Sequence, residues 1–283
     1  MDCKYYQNLI KSKYRLTVDH RINNLSSKEN YGQNIVRTGM LDSVFSQAKW
    51  AYSRRGLKYV LGTGTKMALE FPVNLFWFWY YKRFKSAETF TFQGKKYHYL
   101  FHRYNTTWKN ERSVSIPIIW DIVKEYQKEG KSVLELGNML SYVFPVYHDI
   151  LDKYETAKNI INEDITDYNS SKKYDLIVSV LCLPCVGWDE TPRDPSKIIR
   201  ALANMNNLLS RGGKIVVALG LGYNSDMDNY LKEGKIRFDK QHYLKKTSGF
   251  RWREASWDEV KELKYDYSIP TATGLVIGTS VKK

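Results

Sequence analysis

Short blocks of apolar residues recur along the second half of the chain, separated by polar turns. They predict seven strands, at residues 132–136, 147–151, 159–162, 174–180, 214–219, 242–246 and 274–281. Before the first strand and between later ones the apolar residues change to helical spacing, most clearly after Pro117 and after Pro195. Strands that alternate with helices predict a largely parallel sheet with helices on both faces, an α/β fold.

Helix boundaries can be predicted at three places. Pro117 suits the first turn of a helix, and Gly130 suits its carboxyl end. Asp194 and Pro195 predict the start of a second helix through a cap and a first-turn proline. Ser256 and Glu259 have the spacing of a capping box, which predicts a short helix before the last strand.

The first part of the chain has a different pattern. Residues 1–35 show no sustained period, so we expect a loosely ordered arm, and residues 38–87 predict two basic helices. Residues 88–104 alternate around a turn that contains Gly94, which predicts a hairpin. We therefore expect an N-terminal extension over residues 1–104 and a cofactor-binding domain over residues 105–283.

Charge separates the same two parts. Residues 1–100 hold 17 Lys and Arg against 6 Asp and Glu, a net charge of +11, whereas residues 101–283 hold 27 against 24. Three cysteines are too few for a disulfide framework, and the chain starts without an apolar signal segment, so we expect a cytoplasmic protein. The most apolar run, 71–81, is far shorter than the roughly 20 residues that span a bilayer.

Carboxylates at the ends of successive predicted strands indicate a nucleotide-cofactor site. Gly137 lets the first strand turn tightly, and Glu135 either fixes that turn or meets the amino-acid part of the cofactor. Asp152 ends the second strand, where it can accept both ribose hydroxyls. Asp164 ends the third strand and can accept from an adenine amine, while Ile165 packs on the ring.

The order and spacing of these pieces resemble class I S-adenosylmethionine (SAM) methyltransferases over residues 115–283. The resemblance is narrower to the subgroup associated with surface-polysaccharide and glycan biosynthesis, and it is carried by five motifs: residues 105–112, 134–138, 152–155, 161–164 and 186–190. It implies a Rossmann-like sheet of seven mostly parallel strands and a SAM cofactor. It also implies that Glu135, Gly137, Asp152 and Asp164 bind that cofactor, and we add Asn138, Ile165 and Ser179 as expected contacts.

The chain departs from the family pattern in two loops. Met139 and Ser141 stand where the usual first motif has glycines, which changes how closely the backbone can approach SAM. After the fourth strand, Leu183-Pro184-Cys185-Val186 replaces the common Leu-Glu-His-Val, so the familiar Glu and His are missing. Asp189 is therefore the first candidate for a catalytic base, Glu190 the second and His148 the third. Cys182 and Cys185 have metal-site spacing, but without a second cysteine pair we expect two thiols and no metal.

Aromatic residues and cations adjoin at residues 71–85, a composition typical of the boundary between water and an anionic membrane. The alternative is a helix packed on the sheet domain with a solvated basic end, and RNA is a third possible partner.

For function, we expect SAM-dependent O-methylation of a sugar in a surface glycan or its lipid-linked precursor. The alternatives are a non-catalytic scaffold with this fold and an RNA methyltransferase.

Overall fold

A computed structural model describes residues 72–283 of the chain. The predicted arm over residues 1–35 and the part of the two predicted helices before residue 72 lie outside the described residues, whereas residues 72–87, also within the predicted helical region, contain a helix. The helices are α1 (72–84), α2 (Arg112–Lys128), α3 (Lys197–Leu208), α4 (Ser225–Lys232) and α5 (Trp257–Val260). The strands are β1 (Thr89–Phe92), β2 (Lys95–His98), β3 (Val133–Leu136), β4 (Asp149–Leu151), β5 (Ile160–Ile161), β6 (Tyr174–Val180), β7 (Leu209–Gly220), β8 (Lys240–Lys246), β9 (Trp252–Ala255) and β10 (Gly274–Val281).

Eight strands form one sheet in the order β5-β4-β3-β6-β7-β10-β8-β9. The five strands from β5 to β7 are parallel, while β10 is antiparallel to both of its neighbours, β7 and β8. The chain runs from β3 outward to β5 and then crosses back to β6. This reversal makes the gap between the carboxyl ends of β3 and β6 the place where an open α/β sheet binds its ligand.

Both faces of the sheet are covered, because alternate side chains of each strand point to opposite sides. Val133 of β3 joins the core that contains the buried residues of α2, and its neighbour Leu134 joins the core that contains those of α3 and α4. The expected mostly parallel α/β sheet covered on two faces is confirmed. One strand was missed: β9 extends the sheet to eight, pairing with β8 through Tyr243 and Ala255.

Helix α2 begins five residues earlier than its proline indicates. The prediction that Pro117 lies in the first turn is wrong, because the helix starts at Arg112 and contains Pro117 in its interior. A proline there cannot donate to the carbonyl four residues back, which belongs to Ser113. That carbonyl accepts instead from the backbone N–H of Leu100, at 3.0 Å. The helix does end as predicted, with Gly130 in the left-handed region at φ +67°.

The hairpin prediction is confirmed: β1 and β2 pair across Gln93 and Gly94, both of which have positive φ. Phe90 and Phe92 of β1 are buried in the same core as Trp252 of β9, so the hairpin packs against the edge of the sheet. The capping box of Ser256 and Glu259 is also present at the start of α5. No helix among residues 72–283 is both long and apolar enough to cross a membrane.

Candidate cofactor site at the carboxyl edge of the sheet

A cleft of about 810 Å³, including its open mouth, lies at the carboxyl edge of the parallel strands. The segments that follow β3, β4, β5 and β6 all line it, together with Tyr104, Asn105 and Arg112 from the region before and at the start of α2. Its position is the one that the strand order predicts for a ligand.

The turn after β3 is held from below by Glu135. This side chain is fully buried, and its Oε1 accepts the backbone N–H groups of Met139 and Leu140, both at 2.8 Å. Its Oε2 lies 3.0 Å from Nε2 of His148, whose Nδ1 is 3.0 Å from the side-chain amide of Gln127. Of the two roles considered for Glu135, the contacts support fixing the turn, because neither Glu135 nor His148 lines the cleft.

Met139 and Ser141, which stand where the family has glycines, adopt backbone conformations that are open to residues with side chains. Met139 has φ −115°, and Ser141 lies in a short 3-10 turn, Leu140–Tyr142, so neither position needs a left-handed backbone. Ser141 Oγ donates to the side-chain oxygen of Asn138. Asn138, which lines the cleft, also donates through Nδ2 to Glu155 at 2.9 Å and joins this turn to the loop after β4.

Gly137 is the position in this turn where a side chain does not fit. Its φ is +82°, and a Cβ there would lie 2.6 Å from Cys182 Cβ and 2.8 Å from Cys182 Sγ. The turns after β3 and β6 therefore touch at the reversal point of the sheet. Leu181, next to Cys182, has φ +59°, a strained conformation for a leucine. Cys182 and Cys185 are both thiols, and both line the cleft.

Asp152 follows β4 and lines the cleft, as its predicted role requires. Its Oδ1 accepts the backbone N–H groups of Tyr154 and Glu155, both at 2.9 Å, and its Oδ2 lies 3.3 Å from the backbone nitrogen of Asn138. These bonds fix the orientation of the carboxylate at the wall of the cleft. They occupy three of the roughly four acceptor positions of a carboxylate, so about one position, on Oδ2, remains for a further donor.

Asp164 and Ile165 follow β5 and also line the cleft, but Asp164 is engaged in ion pairs. Its Oδ2 lies 2.5 Å from Lys197 Nζ and 2.8 Å from Lys153 Nζ. Glu190 lies on the same two ammonium groups, 2.5 Å from Lys197 and 2.9 Å from Lys153. We call Lys153, Asp164, Glu190 and Lys197 the charged cluster. It ties the loops after β4, β5 and β6 to the start of α3.

The charged cluster keeps its carboxylates ionised. Burial opposes ionisation of Asp164, but hydrogen bonds from Lys153, Lys197 and Thr166 outweigh it and hold its pKa below the ordinary value. Burial likewise opposes ionisation of Glu190, and Lys197 and Lys153 overcome it and lower that pKa. The pKa of Lys153 is raised in turn, because bonds to Asp164 and Glu190 exceed the effect of burial. Both carboxylates are therefore weak proton acceptors.

The structure separates the three candidate bases. Asp189, the first choice, does not line the cleft, and its Oδ1 accepts from the Tyr223 hydroxyl at 2.7 Å. His148 is buried against Glu135, which holds the turn after β3, and only 1% of the His148 side chain is exposed. Glu190 lines the cleft but belongs to the charged cluster. Ser179, an expected cofactor contact, is fully buried within β6 and is not among the residues that line the cleft.

Sequence reasoning missed one wall of the cleft. Tyr104 lines it, with its ring stacked on that of Tyr142 at 4.0 Å between centroids. Asn105 and Thr106 follow with φ +54° and +46°, and two consecutive left-handed residues that are not glycine are uncommon. Asn105 turns toward the site, with its side-chain amide 3.6 Å from Met139 Sδ. A signal existed, since residues 105–112 carry one of the motifs noted above. Among residues 72–283, no group of three or more His, Cys, Asp or Glu side chains could hold a metal ion.

No protein-family model matches the chain, and no curated protein matches its sequence. Solved structures with a similar arrangement include the N-methyltransferase NodS from Bradyrhizobium japonicum WM9, 13% identical, which covers 59% of this chain and 97% of its own with a TM-score of 0.33. Another is the sugar N-methyltransferase KedS8 from Streptoalloteichus sp ATCC 53650, 11% identical, covering 61% of this chain and 89% of its own with a TM-score of 0.32. The plantazolicin methyltransferase BpumL, in complex with a desmethyl analogue and S-adenosylhomocysteine, is 19% identical and covers 57% and 82%, with a TM-score of 0.31.

Proposed function

We propose that the chain is a SAM-dependent methyltransferase. The observation that supports this most is the convergence on one cleft of Gly137, Asp152 and Ile165, which follow β3, β4 and β5. SAM is a nucleoside that carries an amino acid, and these residues offer a tight turn for the amino acid, an acceptor for the ribose hydroxyls and an apolar surface for the adenine, in that order. The mostly parallel sheet agrees with the Rossmann-like sheet that the sequence resemblance implied, and its strand order places the reversal between β3 and β6 at this cleft.

The fit of SAM to these residues follows from their chemistry. Cys182 fills the space on the Cβ side of Gly137, and Gly137 lines the cleft without a side chain, so the amino-acid part of the cofactor can pass close to its backbone. Asp152 is an oriented carboxylate that can accept the ribose hydroxyls. Ile165, buried but on the cleft wall, offers the adenine an apolar contact, while Asp164 is held by lysines. SAM supplies a methyl group made electrophilic by its sulfonium.

As the acceptor, we propose a sugar hydroxyl of a surface glycan or its lipid-linked precursor. The support for this finer assignment is the resemblance of the five motifs to the glycan subgroup. Methyl transfer needs an aligned acceptor oxygen and a group that takes its proton. Of the three predicted bases, Glu190 is the one on the cleft wall, so by position it replaces Asp189 as our first choice, and it would have to leave Lys153 and Lys197 in order to accept the proton. Tyr104 and Asn105, which also line the cleft, form a further candidate surface for the acceptor.

A non-catalytic scaffold is the second candidate, and one observation favours it. Glu190 and Asp164 are both neutralised by Lys153 and Lys197, and the other two predicted bases lie away from the cleft. A protein that binds SAM without transferring its methyl group would tolerate this arrangement.

A calorimetric titration of the full chain with SAM and with S-adenosylhomocysteine tests the proposal. We expect both to bind, and Asp152→Ala to weaken binding by about 1.5–3 kcal/mol, the scale of hydrogen bonds to a charged group. Asp175→Ala is the matched control, because Asp175 also accepts from a backbone N–H, that of Ser132, but lies at the start of β6, away from the cleft. Binding that Asp152→Ala leaves unchanged would remove Asp152 from the site, and no binding by either ligand would exclude a SAM-dependent activity.

A further inference from the structure

Helix α1 exposes an unusual number of large apolar side chains. Six of them are between 40% and 56% exposed: Val73, Leu75, Phe76, Trp77, Trp79 and Phe84. The rings touch one another on the surface, with Phe76 and Trp77 5.7 Å apart and Trp79 and Phe84 5.6 Å apart. Isolated exposed apolar residues are ordinary, but a contiguous group on one element marks an interaction surface.

The opposite side of α1 is fixed to the rest of the chain. Phe78 packs on Trp108 at 5.5 Å, and Tyr81 packs on Phe101 and Phe250, both at 5.3 Å. Asn74 is buried, and its side-chain oxygen accepts from Lys109 Nζ at 2.6 Å. The core therefore determines which face of the helix points outward. The exposed aromatic residues lie on the face of α1 that does not pack against the core.

The carboxyl end of α1 carries positive charge. Residues 72–87 contain three cations and no Asp or Glu. Lys82 lies 5.6 Å from the centre of the Phe78 ring, and Arg83 lies 5.5 Å from that of Phe84. The next acid, Glu88, pairs with Lys85 at 3.2 Å and with Arg251 at 3.4 Å, so it offsets one positive charge and leaves Lys82 and Arg83 to carry the net positive charge at this end of α1. Exposed tryptophans beside cations complement a surface that is apolar below and anionic above.

We propose that the outward face of α1 binds in the interfacial layer of an anionic membrane. At 1.5 Å per residue, a 13-residue helix is about 20 Å long and lies along such a surface rather than across it. Helix α1 is attached close to the cleft, because Trp108 and Lys109, which it contacts, lie in the same short segment, Tyr104–Lys109, as the cleft residues Tyr104 and Asn105. A membrane-bound α1 would therefore hold the cleft beside the lipid headgroups. The proposal does not depend on methyl transfer.

Vesicle co-sedimentation of the full chain tests this directly. We expect binding to vesicles of phosphatidylcholine with phosphatidylglycerol, weaker binding to phosphatidylcholine alone, and loss of the difference when ionic strength rises from about 0.05 to 0.5 M. Lys82→Gln with Arg83→Gln should weaken anionic binding about 30-fold, since each cation at such a surface contributes about fivefold. Lys128→Gln with Lys158→Gln, which removes the same charge from exposed positions elsewhere, should change binding far less.

Apolar insertion needs a separate pair of variants. Phe76→Ser with Trp79→Ser should lower affinity by about tenfold or more for both kinds of vesicle. Tyr147→Ser with Tyr267→Ser is the matched control, because these rings are also exposed but lie elsewhere. Equal effects of the two pairs, or no vesicle binding by the parent chain, would overturn the proposal. The proposal would also be overturned if the chain bound RNA in a salt-sensitive way, lost that binding in the α1 variants and did not bind vesicles. Unchanged S-adenosylhomocysteine binding by the α1 variants would keep this result separate from the cofactor site.

Discussion

Replacing Gly137 by alanine tests the contact between the turns that follow β3 and β6. Two effects add. A residue with a side chain at φ +82° is disfavoured by about 1–2 kcal/mol. The new Cβ would also lie 2.6 Å from Cys182 Cβ, a contact that requires backbone movement, and overpacking of this kind costs about 1–3 kcal/mol. Urea unfolding followed by circular dichroism should therefore show Gly137→Ala destabilised by about 2–5 kcal/mol.

Gly212→Ala separates the two effects. Gly212 has a similar φ of +76°, but a Cβ there would meet no atom within 4 Å, so only the conformational penalty of about 1–2 kcal/mol applies. Cys182→Gly, which removes both close atoms, should rescue part of the loss in the Gly137→Ala background. A double-mutant cycle should give a coupling of about 1–3 kcal/mol. If Gly137→Ala and Gly212→Ala are equally destabilised and the cycle shows no coupling, the proposed contact is wrong.

Three further predictions concern charges. Lys197→Met should destabilise the protein by about 2–4 kcal/mol, because it leaves Asp164 and Glu190 without their buried partner. Lys153→Met should cost about 1 kcal/mol or less, because the Lys153 side chain is 36% exposed. Equal losses of stability in urea unfolding would contradict this. The pKa values of Asp164 and Glu190 lie below their ordinary values of 3.8 and 4.5, so the two carboxylates contribute fully to stability above about pH 5, and this contribution is lost as the pH falls below those values. Lys197→Met should therefore flatten the dependence of the unfolding free energy on pH between about 5 and 3. An unchanged slope would contradict this reasoning. Burial raises the pKa of Asp228 from 3.8 to about 6, so its proton stabilises the fold at low pH, and that stabilisation is lost as pH rises from about 3.8 through 6. Asp228→Asn should therefore be more stable than the parent at pH 7, by at most about 3 kcal/mol, with almost no gain at about pH 3. The same gain at both pH values would refute the assignment.

The sequence was most informative where short-range patterns decide the structure. Both β6 and β10 have the predicted limits, because each is a mostly apolar run between polar turns. The hairpin turn at Gly94 and the capping box at Ser256 are local motifs that need few other contacts. Pro117 led to a wrong prediction of the helix start, because its missing N–H is replaced by a donor outside the helix. The backbone N–H of Leu100, 13 residues before Ser113, donates to the Ser113 carbonyl.

The candidate site shows the opposite limit. The residues that end β3, β4 and β5 could be read from the chain, but their partners could not, because those partners come from distant segments. Lys197 is 33 residues from Asp164, and Tyr223 is 34 residues from Asp189. Each contact changes the expected chemistry: the first engages the proposed adenine acceptor, and the second holds the first-choice base away from the cleft. Spacing along the chain carries no information about either.

A crystal structure of the full chain with S-adenosylhomocysteine would test the central proposal most directly. We expect the ligand in the cleft between the ends of β3 and β6, with its ribose hydroxyls on the Asp152 carboxylate. Its adenine should lie against Ile165, and its amino-acid part should pass beside Gly137. Ligand bound elsewhere, ligand in the cleft without contact to Asp152, or no ligand at a saturating concentration would contradict the proposed cofactor site.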